Sequence, residues 1–500
     1  MAVLHEEISD SSPRSGDNAF SRITISRWLT IICLIGVAAR VVSALLQGDT
    51  VSATPGAYDQ ISYDMVARQV LAGHGFTVVA DWWPATKAGQ PTAHWSYLYI
   101  LYVAASYAVA GLHPLAARLL QAILAGVLQP LLTWRIGNRI LGRRVGLVAA
   151  ALAVVYAYFV YYAGALMTET FYILAILWSF DLATEMALER RSDGGTPRSP
   201  GRRQWLLLGV ALGVAVLLRQ LFLLFIPVLL AWLVWTLSLS GDRKSRRERD
   251  LRSTLVGVVL SLAVVAAMIL PWTIRNYLAF DRFVLLNTNA GFVFFWANHP
   301  IYGTQFVPIL PDGEYQALIP PELRGLDEAA LDQALLEKGI GFVIQDPVRY
   351  LRLSLSRVPI YFTVWPSEES GGLSNVARTA SAGVLWPFML GGILLSVARW
   401  RRSPDPRRDS AVLLVGLFVI AYSLIHILTW TLIRYRLPID AVLLVFAADA
   451  GLGIVAEARS LRGKSRGQTR LGMDLRPGRG RSESGEASAV RRQLGTRVKP

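Results

Sequence analysis

Apolar residues in this chain come in runs close to twenty long, separated by short stretches rich in arginine and lysine. A helix that crosses a bilayer needs roughly 20 such residues. Ten runs fit: 28–47, 115–134, 145–163, 168–187, 204–219, 221–240, 253–274, 381–398, 411–430 and 437–455. They predict an all-α polytopic membrane protein with about 10 transmembrane helices. Only Arg219 and Gln220 part the fifth run from the sixth. One helix through both would be too long for the bilayer, so a break is expected at Arg219.

Polar positions orient these spans. Residues 135–144 hold four arginines, 188–203 five, 241–252 six Lys or Arg, and 399–409 five. Cytoplasmic connections are the ones that collect such residues. With the amino terminus inside, ten spans place all four clusters and the carboxyl tail on the inner side, provided that 95–111 does not cross. That segment, WSYLYILYVAASYAVAG, carries four tyrosines and a tryptophan, residues typical of the membrane interface. It reads as an interfacial or re-entrant helix.

Two large outer segments follow, 48–114 and 276–380. The second has 11 acidic and 7 basic residues, early Pro and Gly turns, and a helical stretch from Leu326 to about Leu355, which suits a lid or substrate-facing region. The expected organisation is therefore a cytoplasmic segment 1–27, a membrane module 28–275, the outer region 276–380, helices within 381–455, and a basic tail 456–500.

Composition agrees with the pattern: 53% of residues are hydrophobic and 17% charged, unlike a soluble enzyme. The net charge of +15 is concentrated in the tail, with 12 Lys or Arg against 4 Asp or Glu. Rich in Gly, Ser and Arg, the tail is expected to be disordered, and anionic lipid headgroups explain its charge more simply than nucleic acid does. Cys33 is the one cysteine, so no intramolecular disulfide can form. Residues 1–27 are too long and too acidic for a cleavable signal, and the first span is expected to be retained.

The candidate chemistry starts at YDQISYDMVARQVLAGHGF, residues 58–76, which sets Asp59 and Asp64 directly after the first span. Ile61, Met65, Val66 and Val70 recur at helical spacing, as in a short amphipathic helix at the membrane surface. Asp59 falls in its first turn, where it could simply cap the helix. Arg219, Arg275, and the pair Arg434 and Arg436 stand at outer ends of spans, against the inward bias of positive charge. Each alone could snorkel to headgroups. Together they present guanidinium groups, which grip phosphate with two hydrogen bonds, at one face.

Glu169 begins the fourth span at the same face. Thr168 could cap a helix whose first turn welcomes Glu169, or Glu169 could be a second carboxylate that orients an acceptor or shares a divalent cation. His74 and His94 belong to the same outer segment, but their spacing defines no metal site. The chain has no Gly-rich phosphate loop, no G-x-S-x-G elbow and no paired Cys.

In this order the motifs resemble the GT-C membrane glycosyltransferases, in the family 39 branch of protein O-mannosyltransferases and the lipid A aminoarabinose transferase. The resemblance covers about 28–440. It rests on Asp59 with Tyr63 four residues on, then ARQVLAGHGF; on MTETF around Glu169; on PWTIRNY followed by NTNAGFVFFWANHP; and on RYRLP. Gln60 stands where the family often has a second acid, and PTAHWSY where it often has paired prolines. The resemblance implies a polyprenyl-phosphate sugar donor, a glycan, lipid or protein acceptor, and transfer with inversion; the basic tail and arginine-rich loops fit a bacterial inner membrane with the active face outward. The resemblance further implies Asp59 as general base, with Glu169 beside it, and Arg275, Arg434, Arg436 and Arg219 on the donor phosphate. Tyr63, Asp64, His74 and His94 are candidate substrate contacts. A flippase for lipid-linked sugars is the alternative, which would call for ionisable residues at mid-depth in the spans.

Overall fold

A computed structural model describes residues 15–54, 56–188, 199–239, 244–311, 313–365 and 371–473. They form α1 (Ser15–Gln47), α2 (Asp59–Leu71), α3 (Tyr97–Ala110), α4 (Pro114–Leu141), α5 (Arg143–Val155), α6 (Ala157–Gly164), α7 (Glu169–Leu188), α8 (Arg202–Leu218) and α9 (Ile226–Val234). There follow α10 (Lys244–Phe280), α11 (Ala290–Asn298), α12 (Glu314–Ala317), α13 (Glu328–Gln345), α14 (Pro347–Tyr361), α15 (Gly372–Ala377), α16 (Val384–Arg402), α17 (Pro406–Leu428) and α18 (Leu437–Met473). Among the described residues there is no β-strand, only isolated antiparallel bridges pairing Thr77 with Pro91 and Trp82 with Thr86. Two compact units are distinguished, 1–451 and 452–500.

Eight helical segments among the described residues are long and apolar enough to cross a membrane, and nine if α5 and α6, bent by 54°, make one span. The tenth expected span corresponds to α8, whose 17 residues reach about 26 Å, just under a hydrocarbon core of about 30 Å. The break at Arg219 is present: α8 ends at Leu218, Arg219 is extended, and a 3₁₀ turn over Gln220–Leu224 leads into α9. At 14 residues, or about 21 Å, α3 is too short to cross. The expected helix from Leu326 is broken instead at Asp346, whose side chain caps α14 just ahead of Pro347. The last helix runs to Met473, into the stretch expected to be disordered, because helix-forming Ala, Leu and Arg continue beyond the apolar run. The rest of that tail, and the first 14 residues, lie outside the described residues.

In the first unit, α1 packs on α4, α4 on α5 and α7, α7 on α8, and α8 on α10. Gly126 lets α4 approach the backbone of α1 at Val37, where a Cβ would meet Val37 N at 2.6 Å. Arg40 is a buried cation inside the first span. Its guanidinium donates to Gln129 Oε1 at 2.8 Å and to the Ala153 carbonyl at 3.1 Å, so it joins α1 to α4 and α5.

The two outer segments share an anchor. Glu328 is buried, and its Oε1 accepts from Ala93 N at 2.8 Å and from the Thr288 hydroxyl, while its Oε2 accepts from the Thr86 hydroxyl. Behind it Phe292, Trp296, Tyr315, Leu331, Leu335 and Trp430 form an apolar core.

Candidate functional site

Asp59 opens α2, yet Tyr58 occupies the cap position and no side chain caps that helix. The Asp59 carboxylate instead reaches across the fold. Its Oδ2 lies 2.7 Å from Arg434 Nη2, on the turn that precedes α18. Arg434 also donates to the Gly56 carbonyl at 3.0 Å and lies 3.5 Å from Glu169 Oε1. The same Glu169 oxygen takes a 2.5 Å contact from Arg219 Nη2, and Arg219 Nε donates to Thr168 Oγ1 at 3.2 Å. Asp59, Arg434, Glu169 and Arg219 thus make an alternating chain of charge assembled from four separate parts of the sequence.

Arg219 is placed by the helix break. Its extended backbone directs the guanidinium back across the start of α7, where Tyr172 and Tyr435 lie 5.6 and 5.2 Å from it. Glu169 is 2% exposed, and two arginines offset the cost of burying its charge. Glu169 Oε2 and Arg434 Nε are nevertheless buried without a hydrogen-bond partner among the described residues. Polar capacity left open inside a site is what a further polar group would use.

Asp59, Tyr63, His94, Arg219 and Arg434 line one cavity of about 2230 Å³. Most of the remaining lining is apolar, drawn from α1, the α5–α6 bend, the turn after Arg219, and α15. Tyr63 is buried, with its edge to Trp95 and Tyr99; burial, then Asp59 beside it, pushes its phenol above the usual range. His94 is buried too. Its Nδ1 is 2.9 Å from the Thr288 carbonyl, which can only accept, so the proton sits on Nδ1, and burial pushes the imidazole pKa below its ordinary value.

Four expected site residues lie elsewhere. Arg275 donates to the Thr92 and Phe76 carbonyls, each at 3.0 Å, and to Tyr97 OH at 2.9 Å, so it braces the loop ahead of α3. Arg436 is fully buried, paired with Asp440 at 3.2 Å and bonded to the Tyr361 and Thr363 carbonyls. Asp64 binds Arg68 at 2.9 Å and accepts from Tyr107 OH at 2.5 Å, which fastens α2 to α3. His74 is exposed and meets Gln69 Oε1 at 2.8 Å. None of the four lines the cavity.

The cavity also includes residues the sequence did not single out: Trp82, Trp83, Trp296, Tyr315, Arg378 and His426. Arg378 stands ahead of the expected span 381–398, so the criterion that picked out Arg219 applied to it as well. The tryptophans carried no such signal. Among the described residues no three His, Cys, Asp or Glu side chains converge as a metal site.

Three comparisons bear on this geometry. Residues 96–274 match the family described as dolichyl-phosphate-mannose-protein mannosyltransferase. The oligosaccharyltransferase AglB from Archaeoglobus fulgidus, solved in complex with an inhibitory peptide and a dolichol-phosphate, superposes with a TM-score of 0.55 at 18% identity over 90% of this chain. Its apo form gives 0.56 at 15% identity over 89%.

The chain shares its fold with this archaeal oligosaccharyltransferase.

The chain spans about half the length of these oligosaccharyltransferase structures, 52% in each case. ArnT from Cupriavidus metallidurans bound to undecaprenyl phosphate aligns at a TM-score of 0.37 and 16% identity, over 85% of this chain and 78% of its own. No curated protein matches the chain by sequence.

Proposed function

We propose that the protein is an integral-membrane glycosyltransferase. It moves a sugar from a polyprenyl-phosphate donor to an acceptor hydroxyl on the extracytoplasmic side of a bacterial inner membrane. The observation that carries this reading is the meeting of a carboxylate and two guanidinium groups in one large cavity whose other walls come largely from apolar, membrane-spanning helices. The family match over 96–274 and the AglB fold, solved with a dolichol-phosphate, support it.

Asp59 takes the proton of the acceptor hydroxyl as that oxygen bonds to the anomeric carbon. The bond from that carbon to the phosphate oxygen breaks, its electron pair passes to the polyprenyl phosphate, and attack from the opposite side inverts the centre. Arg434 and Arg219 stabilise the charge that grows on the phosphate. Arg434 pairs with Asp59, and an arriving phosphate competes for it. The carboxylate is thereby released to turn towards the acceptor just when it is needed. Glu169, bound to Arg219 and close to Arg434, positions both cations.

The test is transfer by the purified protein in lipid, supplied with radiolabelled polyprenyl-phosphate sugars and a cell-envelope acceptor fraction. Label entering the acceptor with wild type and not with Asp59→Asn supports the reading. Movement of labelled lipid between leaflets by both proteins, with no transfer, replaces it with a flippase.

A further inference from the structure

At about 2230 Å³ the cavity exceeds the roughly 300–1,000 Å³ of ordinary ligand pockets, so it has room for an acceptor beside the donor. Its outer wall is aromatic. Trp83 packs against Trp296 with the rings tilted by 30° and centroids 4.8 Å apart, and Tyr315 meets Trp83 edge-on at 5.3 Å. Trp296 and Tyr315 are buried, 1% and 8% exposed, and Trp296 Nε1 donates to the Tyr315 carbonyl at 2.9 Å. They form a fixed base. Trp83 is only partly buried upon it and lines the cavity.

Trp82 continues the wall towards the charged chain. Its Nε1 donates at 2.9 Å to the hydroxyl of Ser62, one helical turn beyond Asp59. The aromatic surface therefore begins beside the carboxylate that has to meet the acceptor hydroxyl. The amide side chains of Asn289 and Gln316 line the same cavity, and Asp59 is the one carboxylate among its lining residues.

These features fit the chemistry of a sugar ring. Its faces carry C–H groups that an indole face covers, and its rim carries hydroxyls that amides can both donate to and accept from.

We propose that the acceptor is a carbohydrate, seated by stacking a sugar ring on Trp83 with Trp82 beside it, so that one of its hydroxyls reaches Asp59. This rests on the transfer reading above. The new bond joins that hydroxyl oxygen to the donor's anomeric carbon, with the proton passing to Asp59 and polyprenyl phosphate leaving.

The test uses the full chain in lipid nanodiscs with three probes: mannose-, glucose- and galactose-based tetrasaccharides, a serine- and threonine-bearing peptide, and undecaprenyl phosphate. Binding is read by saturation-transfer NMR and titration in wild type, Trp83→Ala and Trp83→Phe. The expected result is that a tetrasaccharide binds wild type in preference to the peptide and binds Trp83→Ala at least about tenfold more weakly, a loss of about 1.4 kcal/mol. Trp83→Phe, which keeps an aromatic face, should recover part of it, and undecaprenyl phosphate should bind all three proteins alike. Equal saccharide affinity in wild type and Trp83→Ala overturns the proposal, as does binding of the peptide alone or of neither acceptor probe. Should Trp83→Ala also lose undecaprenyl phosphate, the comparison of wild type with Trp83→Phe decides. Failure of wild type to bind undecaprenyl phosphate while binding saccharide overturns the transfer reading and leaves the carbohydrate platform standing.

Discussion

Replacing Asp59 by Asn separates a general base from a structural acid. Asn has the same size, and its carbonyl oxygen can still accept from Arg434 Nη2, now 2.7 Å from Asp59 Oδ2. Arg434 would keep its bond to the Gly56 carbonyl and its 3.5 Å approach to Glu169. The Asp59 side chain is 28% exposed, so solvent screens its pair with Arg434 and the loss of stability should stay near 1 kcal/mol. Proton removal by a positioned base contributes about 10²–10⁴ in rate, or roughly 3–5 kcal/mol of barrier. The expected variant is therefore folded and binds donor, but transfers at least about a hundredfold more slowly. Single-turnover transfer in nanodiscs, with undecaprenyl phosphate binding measured separately, distinguishes these effects. An Asn variant that binds donor normally and transfers within tenfold of wild type would refute the assignment of the base.

Glu169→Gln should act mainly on stability. It leaves two largely buried guanidinium groups with one carboxylate fewer, at a cost of about 3–5 kcal/mol, and unfolding in detergent unchanged from wild type would contradict the alternating chain. Asp332 accepts from Gly291 N and Phe292 N at 2.9 and 3.0 Å, yet burial raises its carboxyl to about 7. The folded protein then keeps a proton that the unfolded chain gives up near pH 4, so stability falls as pH rises from about 4 to about 7 and levels off above. Wild type should therefore lose more melting temperature than Asp332→Asn between pH 5 and pH 7.5, and parallel curves would sink the idea. Gly291→Ala should disrupt the outer region, because the added Cβ would overlap the Asp332 carbonyl oxygen, and a wild-type proteolysis pattern would count against it.

The spans and the break at Arg219 were legible because each follows from local hydropathy and length, and the non-crossing α3 because the basic loops and its aromatic residues forbid a span there. So were Asp59, Glu169, Arg219 and Arg434 as residues standing at one end of the spans. Their pairing was not, since Asp59 and Arg434 meet across 375 positions of chain, and no periodicity encodes a contact of that kind. Arg275 and Arg436 looked equivalent to Arg434 by position alone. A closer reading could have set Arg436 aside, for Asp440 lies four residues on, the spacing of an intrahelical ion pair. Arg275 gave no such warning, because its partners are two main-chain carbonyls and a phenol far away in sequence. The tryptophans were silent for a similar reason: in a membrane protein a tryptophan at an outer end is expected anyway, and only packing shows which ones face a cavity.

Glu328 also limits how such a protein can be altered. Its two oxygens are held from both sides, by Thr86 and Ala93 of the first outer segment and by Thr288 of the second. The halves of the acceptor wall are therefore not interchangeable cassettes. A chimera that imports the second outer segment alone would bring Glu328 and Thr288 without the Thr86 hydroxyl that donates to Oε2. New acceptor preferences should be reached by exchanging the two segments together, or by changing side chains that face the cavity and leaving the joint between them untouched.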